Sequence, residues 1–442
     1  MKDIAGLIIA GGYSSRMGDF KPLLPVNGRP LIEDRILSMA KAGISPIFVV
    51  TGYKKDELET IIQSIQDRIS PETQVITIHN PDYDKGMFSS IKTGIEKTRS
   101  YSEKPIKGVI LLPVDYPLIN ETHYANLYEA WIVNPEQFAV PCYYGKKGHP
   151  LLIPIRAWEE ILSYRGGKGL KGITNEYEDR SEILRVEMND ERVLMDMDTP
   201  TDYNTVLEWD PKDTVENRIL DFKGRLFLVR HGETELHKEK IFLGQTDVHL
   251  SDIGRNQAKN VAKELTNWKL TDPLLVSSDL LRAQETAEII RDNIKLDNLY
   301  EEGIGVPTPE SQNPEIQGGQ VSNGFARCMN ILEEPSFREL NLGSWDGQYI
   351  SEIKAERLEE YEKRGLNLLA YKSGYEGENF YDLQYRVMKR LGEYVKEYPS
   401  RDLIIVAHSG GIRIILCNLL GIPLEEMKSF YVPRGSLNLV SF

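Results

Sequence analysis

Cysteine is scarce in this 442-residue chain: Cys142, Cys328 and Cys417 are the only three, and they lie far apart. An odd, scattered trio gives neither a disulfide framework nor a zinc cluster, and reads as free thiols in a reducing compartment. Long apolar runs are missing too; none approaches the ~18 residues that span a bilayer. The opening MKDIAGLIIAGG has an apolar stretch too short for a signal peptide and leads into a glycine-rich polar loop, so a cytoplasmic protein without membrane contact is expected. Basic charge is in deficit, with 53 Lys and Arg against 67 Asp and Glu and a net charge of −14. That balance argues against a general nucleic-acid binder while leaving room for a local basic pocket. Internal repeats and low-complexity tracts are absent.

With 40% apolar residues the chain has a globular composition, and its 442 residues exceed one ordinary core, which stops growing near ~250–300 residues. Short apolar runs alternate with amphipathic stretches. Ile4–Ala10, Pro46–Thr51 and Gly108–Val114 read as buried parallel strands, with a helical pattern at Leu31–Ala42 between the first two. The alternation fades near Tyr203 and resumes at Leu226–Val229, Leu274–Ser277 and Leu403–Ala407, with helical patterns at Ile253–Leu265 and Ala283–Ile290. Two α/β domains are therefore expected, at 1–208 and 224–442, joined by a polar linker at 209–223. Glu302–Gly324, rich in Gly, Pro, Gln, Asn and Ser, reads as a lid or an insert.

In the first half, AGGYSSRMGDFKPLLP follows a strand. Glycines there let backbone amides approach an anion, and Arg16 and Lys21 add the positive charge that a triphosphate needs. The spacing is neither that of the P-loop nor of the dinucleotide fingerprint. NPDYDKGMFSSIKTG places Gly86 and Ser90 just before a helical pattern, where orphan amides and hydroxyls can meet a ligand. LLPVDYPLI puts Asp115 at the carboxyl end of a buried strand, the usual ligand edge of an open α/β sheet. A carboxylate there suits Mg²⁺, with Asp198 of MDMDTPTDY as the second; the alternatives are a helix cap for Asp115, and a turn and N-cap for Asp198.

These segments, with YGKKGHPLLIP and GGKGLKG, resemble in order the molybdenum cofactor cytidylyl- and guanylyltransferases, the MobA-like NTP transferases, over about residues 1–208. GHP at Gly148–Pro150 and KPLLP look like the cytidylyl branch, whereas the doubled Gly11–Gly12 looks like the guanylyl branch. The resemblance implies a nucleotide-diphospho-sugar-transferase-like (Rossmann-like) three-layer domain and transfer of a nucleotidyl group from CTP or GTP to a phosphorylated small-molecule acceptor, molybdopterin first among them. It implies phosphates held by Gly11, Gly12, Arg16 and Lys21 with Gly86 and Ser90, and Mg²⁺ held by Asp115 and Asp198. His149 is either an acceptor contact or a structural residue.

In the second half, LFLVRHGETE and LIIVAHSGGIRIIL each set a histidine, His231 and His408, straight after an apolar strand. SSDLLRAQETAEII adds Arg282 and FRELNLGSWDG adds Glu339. A neutral imidazole can attack phosphorus, and nearby arginines disfavour its protonated form. Arg230, Arg282 and His408 suit the oxygens of a transferring phosphoryl group, and Glu339 suits proton transfer to the leaving alcohol. No metal is called for.

Residues 224–442 resemble the histidine phosphatase superfamily, also called phosphoglycerate mutase-like, with His231 as nucleophile and a phosphomonoester as substrate. His237 stands where that family usually has a phosphate-contacting Asn, and Glu378 is expected to brace the site. RELNLGSWDG looks more like a phosphatase than a mutase. Other readings stay open: a sugar-phosphate nucleotidyltransferase joined to a nucleotide or phosphosugar phosphatase, or one domain acting as a ligand sensor. Homo-oligomerisation is also open.

Overall fold

The computed structural model of the chain describes Met1, residues 3–297 and residues 329–441. The insert expected at 302–324, and Cys328, lie outside the described residues. The chain forms two compact units, Met1–Thr214 and Val215–Phe442.

The first unit is built on a mixed sheet in the order Ile183–Glu187, Phe138–Tyr143, Leu151–Pro154, Gly108–Pro113, Ile4–Ile9, Ile47–Thr51, Val75–His79. Ile4–Ile9 pairs in parallel with both Gly108–Pro113 and Ile47–Thr51, while Leu151–Pro154 runs antiparallel beside Gly108–Pro113. Ile4–Ile9 is buried along its whole length because helices cover both faces. Two glycines set the spacing. A Cβ on Gly6 would stand 2.8 Å from Met39 Sδ of the helix Leu31–Lys41, and one on Gly94 of the helix Met87–Arg99 would stand 2.4 Å from Leu7 Cδ1. The strand Ile4–Ile9 sits where successive connections diverge to opposite sides, so its carboxyl end opens a crevice.

The second unit has a five-stranded sheet in the order Ile331–Glu333, Leu274–Ser277, Leu403–Ala407, Arg225–Arg230, Leu437–Ser441. All its pairs are parallel except that of Arg225–Arg230 with Leu437–Ser441. Phe227, Val229, Ile404 and Val406 pack with Val261, Leu265, Ala283 and Ala287 of the helices Asp252–Thr266 and Leu281–Asn293. Alternation turns Leu226 and Leu228 to the other face, and Phe380–Glu397 packs against Ser409–Leu420. Within the expected linker, Val215–Asp221 is a helix, with Val215 and Phe222 buried. Gly392 leaves room for Val215, whose Cγ1 would lie 2.8 Å from a Cβ there. The apolar i, i+4 pair Val215 and Ile219 explains why this stretch folds onto the second domain.

Candidate active sites

In the first unit, Ile4–Ile9 runs into Gly11, where Tyr53 N donates to Gly11 O at 3.1 Å and a Cβ would lie 3.3 Å from Gly52 N. Two loops therefore touch through bare backbone. Gly12 has nothing within 4 Å of a Cβ, which leaves its peptide open to a ligand. Gly11, Gly12, Ser14, Lys21, Gly86, Ser90 and Asp115 line one cleft of ≈ 290 Å³.

Buried Lys21 is the hub of this cleft. Its Nζ lies 2.5 Å from Asp198 Oδ1 and 3.6 Å from Asp115 Oδ2, and exposed Arg16 meets the other oxygen of Asp198 at 3.1 Å. The two cations expected to serve phosphates are thus engaged by the two carboxylates expected to serve a metal. Burial raises the Asp115 carboxyl against the pull of Lys21, while the Lys21 hydrogen bond lowers Asp198. Asp115 Oδ1 is buried with no hydrogen-bond partner. An unpartnered carboxylate oxygen beside a second carboxylate is the hard-oxygen donor set that Mg²⁺ takes, with waters and phosphate oxygens supplying the rest. Among the described residues no group of three or more His, Cys, Asp and Glu gathers as a metal cage, and Mg²⁺ requires none. The N-cap in MDMDTPTDY is Thr199, not Asp198: Thr199 caps the helix Pro200–Leu207 reciprocally with Asp202, and Asp198 faces Lys21.

Gly86 adopts φ +95° as N-cap of Met87–Arg99. Ser90 Oγ accepts from Asn80 Nδ2 at 3.0 Å, whereas Ser89 Oγ is spent on local carbonyls. The His149 ring lies 4.4 Å from that of Tyr116, and burial holds its pKa down at about 4. Tyr13 and Tyr83, with ring centroids 5.3 Å apart, also line the cleft. They carried no local signal, since only the fold brings these two loops together.

In the second unit, Arg230 lies opposite Ala407 in the parallel register, so the next residues, His231 and His408, emerge side by side. Their ring centroids are 5.1 Å apart. His231 Nδ1 lies 2.7 Å from Gly232 O. A carbonyl can only accept, so Nδ1 carries the proton and Nε2 keeps its lone pair. Burial first, then Arg282 and Arg230, holds the His231 imidazole well below its ordinary pKa; burial and Arg282 do the same for His408. His408 Nε2 meets Ser278 Oγ at 2.9 Å.

Arg282 donates to Thr246 O and Gly244 O, and Arg230 donates to Val432 O. Each nevertheless keeps a buried Nε without a partner, as His408 keeps Nδ1. Orphaned nitrogens grouped around one imidazole mark the place of an anion. Glu339 accepts from Gly410 N at 3.2 Å at the start of the helix Ser409–Leu420, and from Leu340 N at 2.9 Å. Glu378 braces rather than faces the site: it pairs with Arg386, which donates to Glu339 O at 2.9 Å. Asp346 accepts from the amides of Gly244, Gln245 and Thr246 and so shapes the loop that holds Arg282. Ser278, Asp346 and Arg386 escaped the sequence reading. His237 is engaged by Thr234 O at 3.2 Å and by Glu233; among the described residues no hydrogen bond links it to His231, Arg230 or Arg282.

Residues 6–181 match the family model of the MobA-like NTP transferase domain, and residues 226–305 and 321–442 match that of the histidine phosphatase superfamily (branch 1). The first half is similar to the molybdenum cofactor cytidylyltransferase of Escherichia coli (strain K12), 26% identical over 213 residues, or 47% of this chain and 97% of that protein. The second half is similar to a Yersinia pestis (strain Pestoides F) protein named "Probable phosphoglycerate mutase GpmB", 27% identical over 218 residues, or 49% of this chain and 85% of that protein. Among solved structures, the alpha-ribazole phosphatase from Shigella flexneri aligns with a TM-score of 0.38 at 23% identity, covering 49% of this chain and 89% of that one.

Proposed function

We propose that this chain, a MobA-like NTP transferase domain followed by a histidine phosphatase superfamily domain, is a bifunctional enzyme. The second domain hydrolyses a phosphomonoester through a phosphohistidine. His231 Nε2 attacks phosphorus; the leaving alkoxide takes a proton from Glu339. Arg230, Arg282 and His408 hold the three equatorial oxygens, where the transition-state charge lies. Water then attacks the phosphohistidine, gives its proton to the Glu339 carboxylate, and releases phosphate with His231 restored. The observation that carries this reading is the neutral imidazole with a free Nε2, set among orphaned guanidinium nitrogens. Turnover of p-nitrophenyl phosphate that vanishes in His231→Ala tests it. Similarity to a protein named a phosphoglycerate mutase keeps a second outcome in view, return of the phosphoryl group to an alcohol instead of water.

The first domain transfers a nucleotidyl group from CTP or GTP to a phosphorylated acceptor, with molybdopterin favoured by the similarity to a molybdenum cofactor cytidylyltransferase. The acceptor phosphate attacks the α-phosphorus in line and pyrophosphate leaves. Both groups are anionic, so positive charge and alignment are what the protein supplies. Gly11 and Gly12 offer backbone to the phosphates, and Lys21 and Arg16 turn from Asp198 toward them. Tyr13 and Tyr83 flank the nucleotide. Mg²⁺ would be held by Asp115 and Asp198 and would neutralise phosphate charge when bound. Pyrophosphate release with CTP against GTP decides the base, and its loss in Asp115→Ala tests the site.

A further inference from the structure

A second cavity of the first unit, ≈ 580 Å³, falls within the size range of small-molecule sites and shares no lining residue with the nucleotide cleft. Its wall is basic although the chain is acidic: Arg29, Arg35, Lys41 and Arg192 stand against two carboxylates, Asp34 and Glu121. Asp34 is shared by Arg35 and by Arg29, the latter at 4.0 Å. Glu121 sits in the first turn of the helix Glu121–Trp131, where the amide dipoles already favour it. Arg192 is held by Asp190 at 2.5 Å, and exposed Lys41 makes no ion pair among the described residues. Arg35 is 2% exposed, yet its Nε has no hydrogen-bond partner. An orphaned, buried guanidinium nitrogen in a wall of net positive charge suits an anion. The rest of the wall is apolar. Pro117, Leu118 and Val206 line it with Trp209, whose ring carries the Arg192 guanidinium at 4.9 Å.

The segments that wall this cavity also carry both carboxylates of the nucleotide cleft. Arg35 Nη1 donates to Tyr116 O at 3.1 Å and to Ile119 O, in the loop that follows Asp115. Arg192 precedes Asp198 in the chain, and Val206 belongs to the helix Pro200–Leu207 that follows it. Met197 N donates to Asp115 O at 2.9 Å, which joins the two segments. We propose that this cavity is an effector site for a small phosphate-bearing molecule with a ring. Arg29, Arg35, Lys41 and Arg192 take the phosphate, and the ring lies along the Trp209 wall. An anion held from both sides ties the helix Leu31–Lys41 to the Arg192 segment. It thereby fixes the loops of Asp115 and Asp198 and speeds transfer through positioning. The rate effect rests on the nucleotidyl-transfer reading above; the binding does not.

Tryptophan fluorescence of the full chain, titrated with AMP, ribose 5-phosphate and inorganic phosphate, tests it. AMP should change the emission saturably, through a component that Trp209→Phe lacks, and the other two should bind more weakly. Lys41→Glu, at an exposed position, should weaken that component by about tenfold or more, and Lys41→Arg should keep it. Saturating AMP should raise pyrophosphate release from CTP or GTP by about fivefold. Lys41→Glu should match wild type without AMP and lose the rise. No Trp209-dependent signal with any of the three probes, or equal affinity in Lys41→Glu, would overturn the site. Ribose 5-phosphate binding as tightly as AMP would remove the ring contact. Binding without a faster release would refute the effector role. No pyrophosphate release under any condition would sink the transferase reading and the rate effect, while the fluorescence still decides the site.

Discussion

A Cβ on Gly410 would stand 2.3 Å from Glu339 Oε1. The glycine after His408–Ser409 is therefore the space in which the proposed general acid sits, and Gly410 N donates to that same carboxylate. Gly410→Ala should displace Glu339 and lower kcat for p-nitrophenyl phosphate by about 10²-fold, the lower end of what a positioned acid contributes. Alanine is the better helix former by up to ~1 kcal/mol, so melting temperature should barely fall. Wild-type kcat in this variant would contradict the role given to Glu339.

His231 and His408 predict an acid-sensitive fold. Both imidazoles are held far below their ordinary value, by burial first and then by Arg282. Unfolded, each titrates near ~6.5. Below that pH the unfolded chain binds protons that the folded site refuses. Their stabilising contribution is therefore complete above ~6.5 and declines as pH falls, by up to ~1.4 kcal/mol per pH unit for each histidine. Urea unfolding of the phosphatase transition between pH 7.5 and 5 checks this, and His231→Gln should show a shallower decline. Equal slopes would mean that His231 titrates normally in the folded protein.

Lys21 joins Asp198 and Asp115 in the other domain. Lys21→Ala should cut pyrophosphate release by about 10²–10³-fold, the usual cost of removing one charge-stabilising donor. EDTA should abolish that release, and excess Mg²⁺ should restore it, while p-nitrophenyl phosphate turnover stays unchanged. Transfer that proceeds in EDTA would remove the metal role from Asp115 and Asp198.

Each site is built from residues of a single unit, so the activities should separate. His231→Ala should lose ester hydrolysis and keep pyrophosphate release, and Asp115→Ala the reverse. Loss of both activities in either variant, with circular dichroism unchanged, would contradict two independent sites.

The parallel strands were legible because strands covered on both faces are written as short apolar runs: Leu274–Ser277 and Leu403–Ala407 match the expected spans. The histidines were legible because each follows such a strand, and a parallel register then carries two strand ends to one edge. The strands Phe138–Tyr143, Leu151–Pro154 and Ile183–Glu187 were not read from the sequence. Their order in the sheet is set by pairing, which leaves no period in the sequence, and Arg185 inside one of them looks like a loop residue until Glu178 is seen beside it. Ser278, Asp346 and Arg386 were hidden for a related reason, since their partners lie far away in sequence. Arg16 and Lys21 showed their charge but not that Asp198 already holds it.

The most direct measurement is a rapid quench of the full-length enzyme with a ³²P-labelled ester that it turns over, followed by peptide mapping under alkaline conditions. Label that is acid-labile, alkali-stable and confined to His231 is the expected result, and it should be absent from His231→Ala. Steady turnover with no label at His231, or label that persists in the variant, would contradict the account.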